Sequence, residues 1–132
     1  MNSSPDTMVK GKIGELLVQL RLFQYGIESA IPVIDSGNDI IALKGHIVKS
    51  IQVKTKGHDK DIRWNLSNIP ERYDILALVK LAENESRLDK ALIYLLSKEQ
   101  VNGRMSFSDN GEAMGQYLLS EETINSLFYT ED

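Results

Sequence analysis

The chain contains no cysteine. Disulfides, thiolate metal sites and a cysteine nucleophile are therefore excluded. Histidine is nearly as scarce. His46 sits in a turn and His58 follows Gly57, and neither has the neighbour spacing of a zinc site. No apolar run approaches the roughly 20 residues that span a bilayer. The opening MNSSPDTMVKGK lacks the apolar segment of a secretory signal. A Ser-His-Asp order, a glycine-rich phosphate loop ahead of a helix, internal repeats and low-complexity tracts are all missing. These absences lead us to expect a cytoplasmic chain with no membrane association.

What is present fits one domain over residues 1–132, with 1–7 as a flexible N-terminus. Of the 132 residues, 42% are apolar, enough for a core without added staples. TMVKGKIGELLVQLRLFQYG predicts a helix, with an apolar stripe of Ile13, Leu16, Leu17, Leu20 and Phe23. Asp6 or Thr7 would cap its start and Gly26 its end. Gly11 and Gly14 weaken such a helix, which suggests a close approach by a neighbour, or else a frayed first turn.

SAIPVI reads as a short edge strand limited by Pro32. DSGN is a turn in which Asp35 serves as a cap rather than a metal ligand. DIIAL and IVKSIQVKTK form a hairpin. GHDKDIRWNLSNIPERY is a polar connection with one helical turn near Ile69. DILALVKL has the continuous apolarity of a central strand, and KALIYLLS is a further strand. The segment NGRMSFSDNGEAMG is loop with room for a short strand. SEETINSLFY closes as a helix capped by Ser120 and packed through Ile124, Leu127 and Phe128. The order predicts an α/β (α+β) domain with a mixed sheet.

Net charge is −4, but the charge is unevenly placed. Residues 44–63 carry six basic and two acidic side chains, whereas 64–132 carry six basic and twelve acidic. The basic stripe suits a phosphate backbone. It is equally the make-up of a solvated hairpin edge that resists strand pairing.

Within that stripe, strand parity sets Gln52, Lys54 and Lys56 on one face and Ile51, Val53 and Thr55 on the other. Antiparallel pairing with DIIAL brings Asp39 near Gln52 and Lys54. A hydrolytic Mg²⁺ site needs hard oxygen ligands and a group that offsets charge on phosphate. Asp39 is the candidate principal ligand, with the Gln52 amide oxygen and the Val53 carbonyl beside it. Lys54 would orient water or stabilise phosphoryl oxygens. Glu15, on the first helix beside two glycines, would hold a metal-bound water or a second ion. As bare spacing, one aspartate and a Gln-x-Lys arise by chance in many strands.

GKIGE opening a helix, GNDIIA and SIQVKTK on successive strands together resemble the PD-(D/E)xK nuclease superfamily. Within it the chain is similar to small domains of the Holliday-junction resolvase, intron-homing and restriction type. The matched part covers roughly residues 10–56. The resemblance implies a restriction endonuclease-like core, a mixed sheet with flanking helices, and Mg²⁺- or Mn²⁺-dependent hydrolysis of DNA phosphodiesters. The family's helix glutamate falls on Glu15, its aspartate on Asp39, its second acidic position on Gln52 and its lysine on Lys54. Glutamine at 52 removes a negative charge, so metal binding should weaken or Glu15 should matter more. The helix that follows the lysine strand in the family would have to come from GHDKDIRWNLSNIPERY. A catalytically inactive nuclease-fold protein that binds nucleic acid or a partner protein is the competing expectation.

Lys12, Lys49, Lys56 and His58 are the candidate DNA phosphate contacts, although a solvated lysine is as good a reading of Lys56. Trp64 and Tyr73 would stack on a base or, as is commoner, anchor an irregular segment to the core. Tyr117, Phe128 and Tyr129 would belong to the core or to an oligomer seam. An enzyme that cuts both strands of a duplex suits a homodimer or homotetramer.

Overall fold

In the computed structural model, the residues described are 5–32, 39–58, 63–108 and 112–128. The whole expected DSGN turn, Asp35 included, and Tyr129 fall outside them. Helix α1 (Pro5–Gln24) leads to the short strand β1 (Glu28–Ala30), the hairpin β2 (Ile40–Lys44) and β3 (Ile47–Lys56), and β4 (Arg63–Asn65). Strands β5 (Ile75–Lys80) and β6 (Leu92–Ser97) follow, then helix α2 (Lys98–Val101), β7 (Ser106–Ser108) and helix α3 (Glu121–Leu127). The main sheet has the order β1-β2-β3-β5-β6, with β3 and β5 parallel and the other pairs antiparallel. This is the expected mixed α/β sheet flanked by helices. Among the described residues, no helix is long and apolar enough to cross a membrane.

Helix α1 starts at Pro5, so Asp6 and Thr7 lie within its first turn rather than ahead of it. Proline is well placed there, because the first helical N–H has no intrahelical partner. The helix ends in a paired-bond cap. Gly26, at φ +79°, donates to the Phe23 carbonyl, and Ile27 donates to that of Leu22.

The inward face of α1 differs from the expected stripe. Leu17, Val18 and Leu22 are buried, whereas Leu16, Leu20 and Phe23 stay 53%, 51% and 67% exposed. The rotation centres on Gly14. A Cβ there would lie 1.8 Å from Thr55 Oγ1, so the glycine lets helix and strand meet. Hydrophobic spacing found a helical stripe but could not reveal which residue the sheet would dock against.

Two cores sandwich the sheet. The first joins α1 and α3 to Ile51, Val53, Ile75, Ala77, Val79, Ile93 and Leu95. The second lies on the other face, where Leu76, Leu78 and Leu96 meet Trp64, Tyr73, Tyr94, Phe107 and Met114. Its cover is the two-stranded β4–β7 ribbon, paired Trp64 to Phe107, together with a 3₁₀ turn at Glu112–Tyr117. That ribbon corrects the reading of the polar connection. Over its described residues from Arg63 on, it supplies a strand in place of a helix, then a turn in which Ser67 N–H donates to Asn65 Oδ1 and Ile69 N–H to the Leu66 carbonyl.

Trp64 is an anchor, as the commoner reading held. It is buried, and its indole N–H donates to the Val79 carbonyl at 3.0 Å. Tyr73 is also buried, and that burial raises its phenol above the usual 10.0. Ser120 caps α3 in a reciprocal box with Thr123, and Ile124 and Phe128 reach the first core. Ser50 and Asp74 clasp the starts of β3 and β5. Ser50 donates its N–H and hydroxyl to Asp74 Oδ2, while Asp74 N–H bonds back to the Ser50 carbonyl. The clasp fixes the parallel register Ile51↔Ile75 through Lys56↔Lys80.

Candidate active site

The hairpin turn Gly45-His46 joins β2 and β3 in the register Ile40↔Ile51 to Lys44↔Ile47, with Gly45 at φ +60°. One step further along, Asp39 N–H donates to the Ile51 carbonyl at 3.2 Å, which brings Asp39 level with Gln52. Its carboxylate Oδ2 accepts two hydrogen bonds of 2.9 Å, from Gln52 Nε2 and from the Val53 backbone N–H. Hydrogen bonds to an ionised carboxylate are among the stronger ones. They fix its orientation without neutralising it. In a strand, the N–H and C=O of one residue face the same edge, so the Val53 carbonyl lies on the edge that faces Asp39.

Gln52 is 7% exposed, and its Oε1 is buried with no hydrogen-bond partner among the described residues. An amide oxygen left so costs about 1–3 kcal/mol, and a native fold rarely keeps one without a use for it. The donor set, one carboxylate, one neutral amide oxygen and one backbone carbonyl, is of the hard-oxygen kind that suits Mg²⁺, an ion that keeps several of its waters. Among the described residues, no group of three or more His, Cys, Asp or Glu side chains is placed to hold a metal.

The remaining candidates stand as follows. Lys54 is half-buried and shares the Gln52 face, opposite Leu78 of β5. Glu15 is one residue past Gly14, on the helix that covers the other face of the sheet, and its Oε1 is 3.4 Å from Lys12 Nζ. Lys49 lies on the opposite face from Lys54, five residues back, or about 17 Å at the usual strand rise; the fold does not bring it to Asp39.

Lys56 requires a correction. It was expected at a phosphate, yet it is 4% exposed, with Nζ 4.4 Å from the centre of the Trp64 ring. The indole face returns about 2 kcal/mol to a desolvated cation, which offsets part of the cost of taking the ammonium out of water. His58 is exposed, just past β3. Sequence reading missed Lys80. It extends the same face one strand over, paired with Lys56, and its place in a mostly apolar strand hid it.

No protein-family model matches the chain, and no curated protein does. Among solved structures, the bacterial homing endonuclease I-Ssp6803I matches with a TM-score of 0.61 over 85% of this chain and 88% of that one, at 17% identity. The fold is restriction endonuclease-like. At that identity the likeness is one of architecture alone.

Proposed function

We propose that the chain is a Mg²⁺-dependent DNA endonuclease that hydrolyses phosphodiester bonds. The observation that carries this reading is the clasp on Asp39, formed by Gln52 Nε2 and Val53 N–H beside the buried, unpartnered Gln52 Oε1. Asp39, Gln52 Oε1 and the Val53 carbonyl would hold Mg²⁺ or Mn²⁺. The ion supplies Lewis acidity and a more acidic water. The chain's own residues orient it: two N–H groups fix the Asp39 carboxylate, and buried Ile51 and Val53 hold the strand that presents Lys54. The Lys54 ammonium offsets the charge that develops on the phosphoryl oxygens.

A homodimer or homotetramer is part of this reading. The outward stripe of α1, Val9, Leu16, Leu20 and Phe23, supports it, since each of these residues is more than half exposed. A second reading, a non-catalytic DNA- or protein-binding member, is favoured by one observation: among the described residues, no group of three or more His, Cys, Asp or Glu side chains is placed to hold a metal.

Cleavage of supercoiled, linear and four-way-junction DNA in Mg²⁺ or Mn²⁺, with EDTA as control, separates the two. Metal-dependent cleavage is expected. Binding without turnover on every substrate would select the second reading.

A further inference from the structure

Helix α1 carries a second apolar stripe, separate from the one that meets the sheet. Val9, Ile13, Leu16, Leu20 and Phe23 follow one another at alternating steps of four and three residues. Ile13 is half-buried against the first core, and the other four are more than half exposed. Gly14, Leu17, Val18 and Leu22 take the inward arc. A strict four-three spacing is the seam of one helix against another, whereas a helix on a sheet or on lipid has a broader apolar arc. Beside the stripe lies a groove of about 430 Å³ whose lining includes Leu20, Tyr25, Leu88 and Leu119. Ridge and hollow thus share one surface.

The charges around this surface are satisfied within the chain. Lys12 pairs with Glu15 at 3.4 Å, and Lys10 with Glu85 at 3.2 Å. Arg21 Nη2 donates to the Leu88 and Ala91 carbonyls, each at 3.3 Å, and Asp89 at the groove is forked by Arg87. Nothing here calls for a strongly charged partner. Val9, Leu16, Leu20, Phe23, Tyr25 and Leu88 together expose on the order of 500 Å², near the top of the about 300–600 Å² patch of a typical monomer and over half of the about 800 Å² that each partner gives a stable interface.

We propose that this stripe is a two-fold seam with a second copy of the chain, and that the pair holds two nucleic-acid segments on opposite outer faces. A two-fold axis matches one surface to itself, so the ridge of each copy meets the groove of the other. The second half of the proposal rests on the reading of the chain as a DNA-acting protein. Helix α1 packs on the face of Ile51 and Val53, while Gln52 and Lys54 lie on the other face of β3. A pair joined through α1 is therefore layered sheet, helix, helix, sheet, with both candidate sites outward. Two helices, each about 10–12 Å across, stand between the sheets. A duplex is stiff over about 150 base pairs, so one straight segment cannot lie on both faces. The pair joins two duplexes, or two arms of a branched one, and does not cut both strands at one point.

The test is analytical ultracentrifugation of the full chain across a concentration series, compared with Leu20→Glu/Phe23→Glu and with Val48→Glu. Val48 is as exposed as the stripe but lies on the face that bears the site, and circular dichroism checks that each variant folds. The wild type should associate. Two carboxylates in the seam should weaken association by about 100-fold or more, and Val48→Glu should leave it unchanged. In metal-free buffer, the wild type should carry a fluorescent duplex onto beads that bear a second, biotinylated duplex, whereas the double variant should bind duplex without joining two. A monomeric wild type, association that survives the double variant, or equal loss in Val48→Glu overturns the seam. Co-sedimentation of the wild type with anionic vesicles, abolished in the double variant, assigns the stripe to a membrane and also overturns it. A dimer that binds duplex but never joins two overturns the outward arrangement. A dimer that binds no DNA keeps the seam and overturns the nuclease reading.

Discussion

The two faces of the sheet are built from different chemistry. The α1 face is closed by aliphatic side chains, with Phe128 the buried aromatic in its cluster among the described residues. The opposite face gathers Trp64, Tyr73, Tyr94 and Phe107, and on it lie Gln52, Lys54, Lys56 and Lys80. The first face meets a regular helix through a glycine, so it can be dry and tight. The second meets a short ribbon and turns over β5 and β6, while the central strand β3 presents polar side chains on this face, Gln52, Lys54 and Lys56. Aromatic rings suit that irregular cover, because Trp and Tyr combine large apolar area with a polar handle. Trp64 shows both uses, an N–H on Val79 and a ring under Lys56.

The strongest way to break this contrast is at Trp64. Trp64→Ala should cost about 3–5 kcal/mol, since it removes the largest buried ring, its backbone bond and the platform under Lys56. Urea unfolding of the purified variant gives the value, and a loss below 1 kcal/mol would mean the ribbon is not a structural cover. Next is Lys54→Ala, which should slow cleavage by about 10²–10³ while circular dichroism and metal-free DNA binding hold. Equal single-turnover rates for variant and wild type would remove Lys54 from the site.

On the aliphatic face, Gly14→Ala should destabilise by about 1–3 kcal/mol, because its Cβ meets Thr55 Oγ1. Adding Thr55→Ala should restore part of the loss, and strictly additive effects in the four-protein cycle would refute the contact. The smallest effect is a pH dependence. Burial raises the Tyr73 phenol above 10.0 in the folded state. Folding thus favours the protonated form, so the contribution is complete below pH 10 and is lost as pH rises through the folded value. Stability should fall above about pH 10 in wild type and fall less in Tyr73→Phe, as read from urea midpoints between pH 8 and 11.

Local features were legible in the sequence. Turn chemistry and alternation disclosed the β2–β3 hairpin, apolar continuity disclosed β5, and Ser120 with the apolar spacing of Ile124, Leu127 and Phe128 marked α3. The approach of Asp39 to Gln52 followed from strand parity alone. What escaped depends on distant partners. The pairing of β4 with β7 joins Trp64 to Phe107, and nothing in either short segment announces the other. The rotation of α1 follows from the meeting of Gly14 with Thr55, 41 positions later. Lys56 reads as a surface lysine until Trp64 is folded against it, and Lys80 reads as the end of a core strand until its register with Lys56 is known.

The span of chain closed by each polar clasp has its own consequence. The bonds to Asp39 close 13 and 14 residues, whereas the Ser50–Asp74 clasp that docks β5 closes 24. Loop-closure entropy costs about 0.6 kcal/mol per doubling, so the carboxylate's clasp forms at a cost lower by about 0.5 kcal/mol. The groups that orient Asp39 therefore belong to the least entropically demanding unit of the sheet. Of the two clasps, the one that sets Asp39 is the one whose closure demands less of the chain.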